Sequence, residues 1–241
     1  MAKQYPIITL TGPRQSGKST LLRHSFLEYN YVSLEDPDIR LLASSDPKGF
    51  LETYPNKTII DEVQMVPDLF SYIQTHVDLA GKEGMYLLAG LHNFLLMQSV
   101  TQSLAGRTVI LKLLPFSHKE LYDGRILPLP THKEIFYGAY PRIFDKNLNP
   151  VIFYQSYLQT YFERDVRVLK NIADLNNFIK FIKLCAGRIG QLLNLSSLAN
   201  DCGIAVSTAK EWFSVLEASY ICYRLEPILS RHNGDVIITH P

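Results

Sequence analysis

Gly12-Pro13-Arg14-Gln15-Ser16-Gly17-Lys18-Ser19 follows directly on the apolar run Ile7-Ile8-Thr9-Leu10 and leads into Thr20-Leu21-Leu22. A glycine-framed loop therefore joins a strand to the start of a helix. The glycines let the backbone fold tightly around an anion, so that successive N–H groups and the positive end of the helix point at it. Lys18 is then placed to reach the β- and γ-phosphates of a nucleoside triphosphate, and the Ser19 hydroxyl to coordinate Mg²⁺. The stretch Gly12, Pro13, Arg14, Gln15, Ser16, Gly17, Lys18, Ser19 and Thr20 is the expected ATP-binding loop. A plain glycine turn is the alternative, but Leu21, Leu22 and Phe26 at helical spacing give the strand-loop-helix context that the motif demands.

Working outward, short apolar runs recur at Ile7–Leu10, Tyr31–Leu34, Thr58–Ile60, Met85–Ala89 and Val109–Leu113, separated by segments long enough for helices. That alternation predicts an α/β fold, a mainly parallel P-loop sheet with helices on both faces. Ser117 is placed to cap a short helix over 118–122, and Leu127-Pro128-Leu129-Pro130 reads as an extended linker. Beyond Pro150 the pattern is helical: Phe178, Phe181, Ile182, Cys185, Ile189 and Leu192 trace a stripe of 3.6-residue period, expected to be core. Residues 195–220 read as helix-turn-helix, with Gly203 in the turn and Ser196 and Ser207 as N-caps. Trp212, Phe213, Val215 and Leu216 are expected to pack the second helix inward.

Thr58-Ile59-Ile60-Asp61-Glu62 supplies the second half of a nucleotide site. An apolar strand delivers Asp61 to its C-terminal end, where a carboxylate can hold Mg²⁺, while adjacent Glu62 can polarise an attacking water. Acidic pairs after apolar runs are common loop starts. Here, though, the spacing from Lys18 leaves room for one intervening strand and helix.

These motifs together resemble the prokaryotic AAA-like P-loop ATPases of the AAA+ superfamily that pair an N-terminal nucleotide-binding domain with a C-terminal domain of unknown function. The resemblance rests on residues 12–19, Ile60-Asp61-Glu62-Val63-Gln64, Ser103-Leu104-Ala105-Gly106-Arg107 followed by Leu113-Leu114-Pro115-Phe116, Tyr161-Phe162-Glu163-Arg164-Asp165-Val166, and Leu198 to Leu216. It implies an ATPase domain over 1–146, with an extra strand between the loop strand and the acidic strand, and a small all-α winged-helix-like module over 147–227. It implies that Arg107 serves catalysis, near a neighbouring subunit's nucleotide or within its own, and hence a homo-oligomer; a structural salt bridge is the plainer use. Arg14 and Arg164 are expected to pair with carboxylates such as Asp165. Where the family carries a polar γ-phosphate sensor, this chain has Ala89-Gly90-Leu91-His92-Asn93, leaving His92 or Asn93 to substitute for Leu91. Residues 228–241 depart from the family's pattern as an atypical tail, and the family's further nuclease-like domain is absent, so that the chain reads as C-terminally truncated.

Composition limits the remaining classes. The 241 residues are 46% hydrophobic and 20% charged, with a net charge of +1 and three cysteines, Cys185, Cys202 and Cys222. This is an ordinary folded mixture with no C-x-x-C pair, so neither a zinc site nor a disulfide framework is indicated. No apolar stretch is long enough for a bilayer and the start runs straight into the first strand, which leads us to expect a cytoplasmic chain. Neither half is basic, and Val206-Ser207-Thr208-Ala209-Lys210-Glu211-Trp212 offers one lysine beside one glutamate, which is poor chemistry for a DNA backbone. Lys180, Lys183 and Arg188 could form a small basic surface. Two readings stay open: a slow Mg²⁺-dependent ATPase whose nucleotide state controls the helix-turn-helix module and an unknown protein client, or a non-hydrolysing ATP-dependent DNA-binding or protein-interaction switch.

Overall fold

The computed structural model describes residues 2–90, 103–124, 126, 130–161 and 175–225, and the backbone of 228–232 and 235–239. Five parallel strands form one sheet: β1 (Ile7–Thr11), β2 (Asn30–Ser33), β3 (Thr58–Asp61), β4 (Tyr86–Ala89) and β5 (Thr108–Lys112), in the order β2-β3-β4-β1-β5. All five lie where the apolar runs predict them. The loop strand β1 pairs with β4 and β5, and the acidic strand β3 with β2 and β4, so β4 separates the two strands that carry the chemistry.

Continuous apolar runs are what strands covered on both faces require. Ile7, Ile60 and Leu88 turn to one face, where they meet Phe50, Leu69, Phe70, Ile73 and Val77. Those partners belong to α3 (Pro47–Thr53) and α4 (Leu69–Ala80), which follow α2 (Pro37–Ser45). Ile8, Leu10, Ile59 and Leu87 turn to the other face and bury Leu22 of α1 (Lys18–Ser25). Asp46 makes the corner between α2 and α3: its N–H closes α2 on Leu42, while its carboxylate caps α3 at the Gly49 N–H.

Beyond β5, α5 (His118–Asp123) opens with a complete capping box, in which Ser117 and Glu120 satisfy each other's backbone N–H. Then come α6 (Thr131–Tyr137), α7 (Pro141–Asp145), α8 (Pro150–Tyr161), α9 (Leu175–Ala186), α10 (Leu195–Cys202) and α11 (Val206–Ala218). Their core is separate from the sheet's. Trp212 stands edge-on to Phe178 and Phe181, with Val215 and Leu216 fully enclosed. Ile143 is buried in this core with Tyr137 and Tyr140 against it, so the second core begins ahead of residue 147. A two-stranded antiparallel hairpin, β6 (Ile228–His232) and β7 (Asp235–Thr239), occupies the stretch read as an atypical tail.

Three local expectations are corrected. The apolar stripe ends early: α9 stops at Ala186 before Gly187, leaving Ile189 and Leu192 exposed, not in the core. The N-cap of α10 is Asn194, whose carboxamide oxygen accepts the Ser197 N–H at 2.9 Å, and not Ser196. Helix α11 begins at Val206 after Ala205, which makes no side-chain cap, so Ser207 lies inside the helix. Arg188, in the turn after α9, bridges to Asp201 and donates to Ser197 Oγ, and Lys180 of α9 donates to the Cys202 carbonyl, so two of the three cations of the expected basic surface are engaged with α10. Cys202 is buried, and burial pushes the Cys185 and Cys222 thiols up to about 11 and about 12.

Candidate nucleotide-binding site

The loop 12–17 runs from the end of β1 to the first turn of α1, at the C-terminal edge of the sheet. Its geometry demands glycine at Gly12. The φ there is +150°, and an added Cβ would lie 2.1 Å from the Leu113 carbonyl oxygen. Gly17, at φ 92°, caps α1 in the left-handed region, and Gln15 adopts the same region at φ 59° without being glycine. Lys18 is buried beneath the loop, its ammonium donating to Gly12 O at 3.1 Å and Pro13 O at 2.8 Å. Ser16 is 4% exposed and its Oγ has no hydrogen-bond partner among the described residues.

β3 brings the carboxylates to this edge. Asp61 is 5% exposed. Its Oδ2 accepts the Ser19 hydroxyl at 2.6 Å and the Tyr31 hydroxyl at 2.7 Å, and its Oδ1 accepts the Glu62 N–H at 3.1 Å. Sequence spacing predicts the Ser19–Asp61 encounter. It does not predict Tyr31, which reads there only as an aromatic in a strand. The Tyr31 phenol is pushed up to about 12, first by burial and then by donating to Asp61.

Glu62 leaves the strand in the left-handed region at φ 54°, the turn that starts a 3₁₀ segment, Val63–Met65. Gln64 Nε2 donates to Glu62 Oε2, while Gln64 Oε1 is buried without a partner among the described residues. Burial raises the Glu62 carboxyl above its usual range, and nearby Asp61 adds to this; the Gln64 hydrogen bond and Lys18 oppose it. Glu62 is thus a desolvated carboxylate beside the loop, as a general base requires.

The residues present fit a triphosphate with a divalent cation. Only glycine suits the cradle at Gly12, and an orphaned hydroxyl lies in the loop. Ser19 and Asp61 offer the hard oxygen donors that Mg²⁺ takes alongside phosphate and water. No cluster of three or more His, Cys, Asp or Glu able to hold a metal occurs among the described residues. No helix among them is long and apolar enough to cross a membrane.

Arg107 is not brought to this chain's own loop. It immediately precedes β5, at the opposite edge of the sheet, and forks onto Asp78 near the end of α4, with Nε–Oδ1 at 2.6 Å and Nη2–Oδ2 at 2.7 Å. That pairing lowers the Asp78 carboxyl. The structural salt bridge is the observed use, and a catalytic role within the same subunit loses its geometric basis. Leu91, His92, Asn93, Arg164 and Asp165 lie outside the described residues.

The helical region approaches both ends of the loop. Pro141 Cγ lies 3.9 Å from where a Cβ on Gly17 would stand. The Tyr220 ring lies under the Lys112 ammonium at 4.8 Å, and Lys112 pairs across the sheet with Thr11, the residue before Gly12.

Residues 4–122 match the family model described as an AAA domain, and residues 131–239 match a model described as a domain of unknown function. The second match spans the expected boundary at 227. Two uncharacterised proteins, Rv2008c of Mycobacterium tuberculosis and Mb2031c of Mycobacterium bovis, are each 27% identical over 227 residues, covering 92% of this chain and 50% of their own length. The chain therefore spans about half the length of the curated relatives it matches. Among solved structures, the Walker-type ATPase PABY2304 of Pyrococcus abyssi aligns over 98% of this chain and 89% of its own, at 14% identity and a TM-score of 0.54, a likeness of fold. The chain's two matched segments, carried on a five-stranded parallel sheet and a helical region, show an AAA-like P-loop domain joined to a C-terminal domain of unknown function.

Proposed function

We propose that the chain binds Mg-ATP at Gly12–Thr20 and hydrolyses it slowly, and that the nucleotide state is passed to the helix-turn-helix of α10 and α11. One observation carries this reading: Ser19 and Asp61, 42 residues apart, meet beneath a loop whose Gly12 excludes any side chain. In this scheme the backbone N–H groups of 13–18 and Lys18 bind the phosphates. Ser19 and Asp61 would hold Mg²⁺, which when bound neutralises charge on the β- and γ-phosphate oxygens. Glu62 accepts a proton from water. The contacts of Pro141 at Gly17 and of Tyr220 at Lys112, the β5 partner of Thr11, give the helical region a purchase near both ends of the loop.

The contact of Gln64 on Glu62 favours a second reading, in which Glu62 stays bound to the amide and the chain is an ATP-dependent switch without turnover. We place DNA below a protein client, since two of the helical region's cations are already engaged. An assembly of identical subunits belongs to the same proposal only if Arg107 is exchanged from Asp78 to a neighbour's nucleotide.

Titration with a fluorescent ATP analogue, paired with a steady-state phosphate-release assay, tests the proposal. Lys18→Ala should weaken binding by about 1.5–3 kcal/mol, the worth of a hydrogen bond to a charged group. An unchanged affinity would remove Lys18 from the site. Binding without phosphate release would select the switch.

A further inference from the structure

The Mg-ATP reading leaves one part of the site without a role. Asp61 is enclosed, and a carboxylate taken out of water must have its oxygens satisfied. Oδ1 takes the Glu62 N–H, and Oδ2 takes two hydroxyls at once, Ser19 at 2.6 Å and Tyr31 at 2.7 Å. With donors on both oxygens the carboxylate plane is fixed.

Tyr31 reaches Asp61 because of sheet register. Tyr31 pairs with Ile59 and Ser33 with Asp61, so the phenol crosses one pleat to the residue two positions on. On its other side the ring lies 4.9 Å from the Arg23 guanidinium. Ser19 and Arg23 are four residues apart on α1, hence on one face of that helix. Ser19, Asp61, Tyr31 and Arg23 thus form a chain of side-chain contacts that leaves α1, crosses β3 and β2, and returns to the same helix. The Tyr31 side chain is part-exposed at the outer strand of the sheet. Water could serve its hydroxyl equally well there, so what the Asp61 contact adds is the orientation of that carboxylate.

We infer that Tyr31 is a positioning residue for the metal-binding carboxylate: it holds Asp61 Oδ2 in place so that a Mg²⁺ brought by nucleotide meets a fixed ligand, and Arg23 steadies its ring. The inference rests on the Mg-ATP reading above. Donors of this kind typically govern metal affinity by about 10–100-fold.

The test uses the full chain, with Tyr31→Phe keeping the ring and Arg23→Met removing the cation as an independent second variant. A fluorescent ATP analogue is bound first in EDTA and then under a MgCl₂ titration, reading binding and not turnover. For Tyr31→Phe we expect affinity in EDTA within about twofold of wild type and a Mg²⁺ midpoint raised about tenfold. Arg23→Met should shift the midpoint in the same direction by less. An unchanged midpoint in Tyr31→Phe overturns the inference, as does a lowered one, which would make Tyr31 a competitor of the metal. Equal weakening in both arms also overturns it, since Tyr31 would then act on the whole loop. Wild type that binds nucleotide in neither arm defeats the Mg-ATP reading itself and this inference with it.

Discussion

The two edges of one sheet treat the left-handed backbone region differently. At the C-terminal edge it falls on Gly17 but also on Gln15 and Glu62, where a Cβ makes it cost on the order of 1–3 kcal/mol each. At the N-terminal edge it falls on Gly81, Gly84 and Gly106, where it costs nothing comparable, with the exposed Lys57 as the exception. Side chains divide the same way. Ser16 Oγ and Gln64 Oε1 are buried without partners among the described residues at the first edge, while Arg107 and Asp78 are fully matched at the second. Of the sheet's two edges, the one where a ligand would be handled carries more of the strain and of the unspent hydrogen-bonding capacity, and the opposite edge holds the structure together.

Glu62→Gln should split chemistry from stability most sharply. The amide keeps the shape and the Gln64 contact but cannot take a proton, so turnover should fall by at least about 100-fold. Nucleotide affinity and melting temperature should stay near wild type, because only a desolvated carboxylate has been neutralised. A variant that melts several degrees lower while turnover stays near wild type would break the contrast between the edges.

Arg107→Gln should do the reverse, by less. The pair with Asp78 is solvent-exposed, so the melting temperature should drop by a few degrees at most, and the difference should shrink at high salt. Nucleotide affinity should not change. Activity that climbs with protein concentration in wild type and vanishes in the variant would move Arg107 from the structural edge to a neighbour's site.

Much of this was legible along the chain, for physical reasons that can be named. Strands buried on both faces must be continuously apolar, and all five announced themselves; a phosphate loop needs fixed residue types at fixed spacing. What escaped depended on three-dimensional register. Tyr31 looked like any strand aromatic, because its nearness to Asp61 exists only once β2 is paired with β3. Ile189 and Leu192 kept the helical period, yet Gly187 and Gly190 follow the end of α9 and the two side chains turn outward. Asn194 won the cap from Ser196 because the chain entered the helix two residues earlier than the serine pair indicated.

The smallest effect expected is at the capping box of α5, away from both edges. The Ser117 N–H donates to Glu120 at 2.7 Å and the Ser117 hydroxyl at 2.8 Å, which holds the Glu120 carboxyl below its usual range. A depressed carboxylate pKa stabilises the fold above the ordinary value and loses that contribution as pH falls through the folded one. Melting curves of wild type and Glu120→Gln should differ slightly near pH 6 and converge near pH 3, and a gap that widened in acid would contradict the capping box.

Lys18 gives the loop a currency of its own. Because Gly12 O and Pro13 O already accept from its ammonium, an anion that takes either of those N–H donors does so by exchange and gains the difference between its oxygens and the carbonyl it displaces. A lone monoanion that offers one acceptor in return gains little. A polyphosphate, crowded with acceptors and carrying several charges, has more to offer in that exchange, so on the Mg-ATP proposal the loop's own carbonyls would favour ligands with several phosphates before any base or ribose is touched.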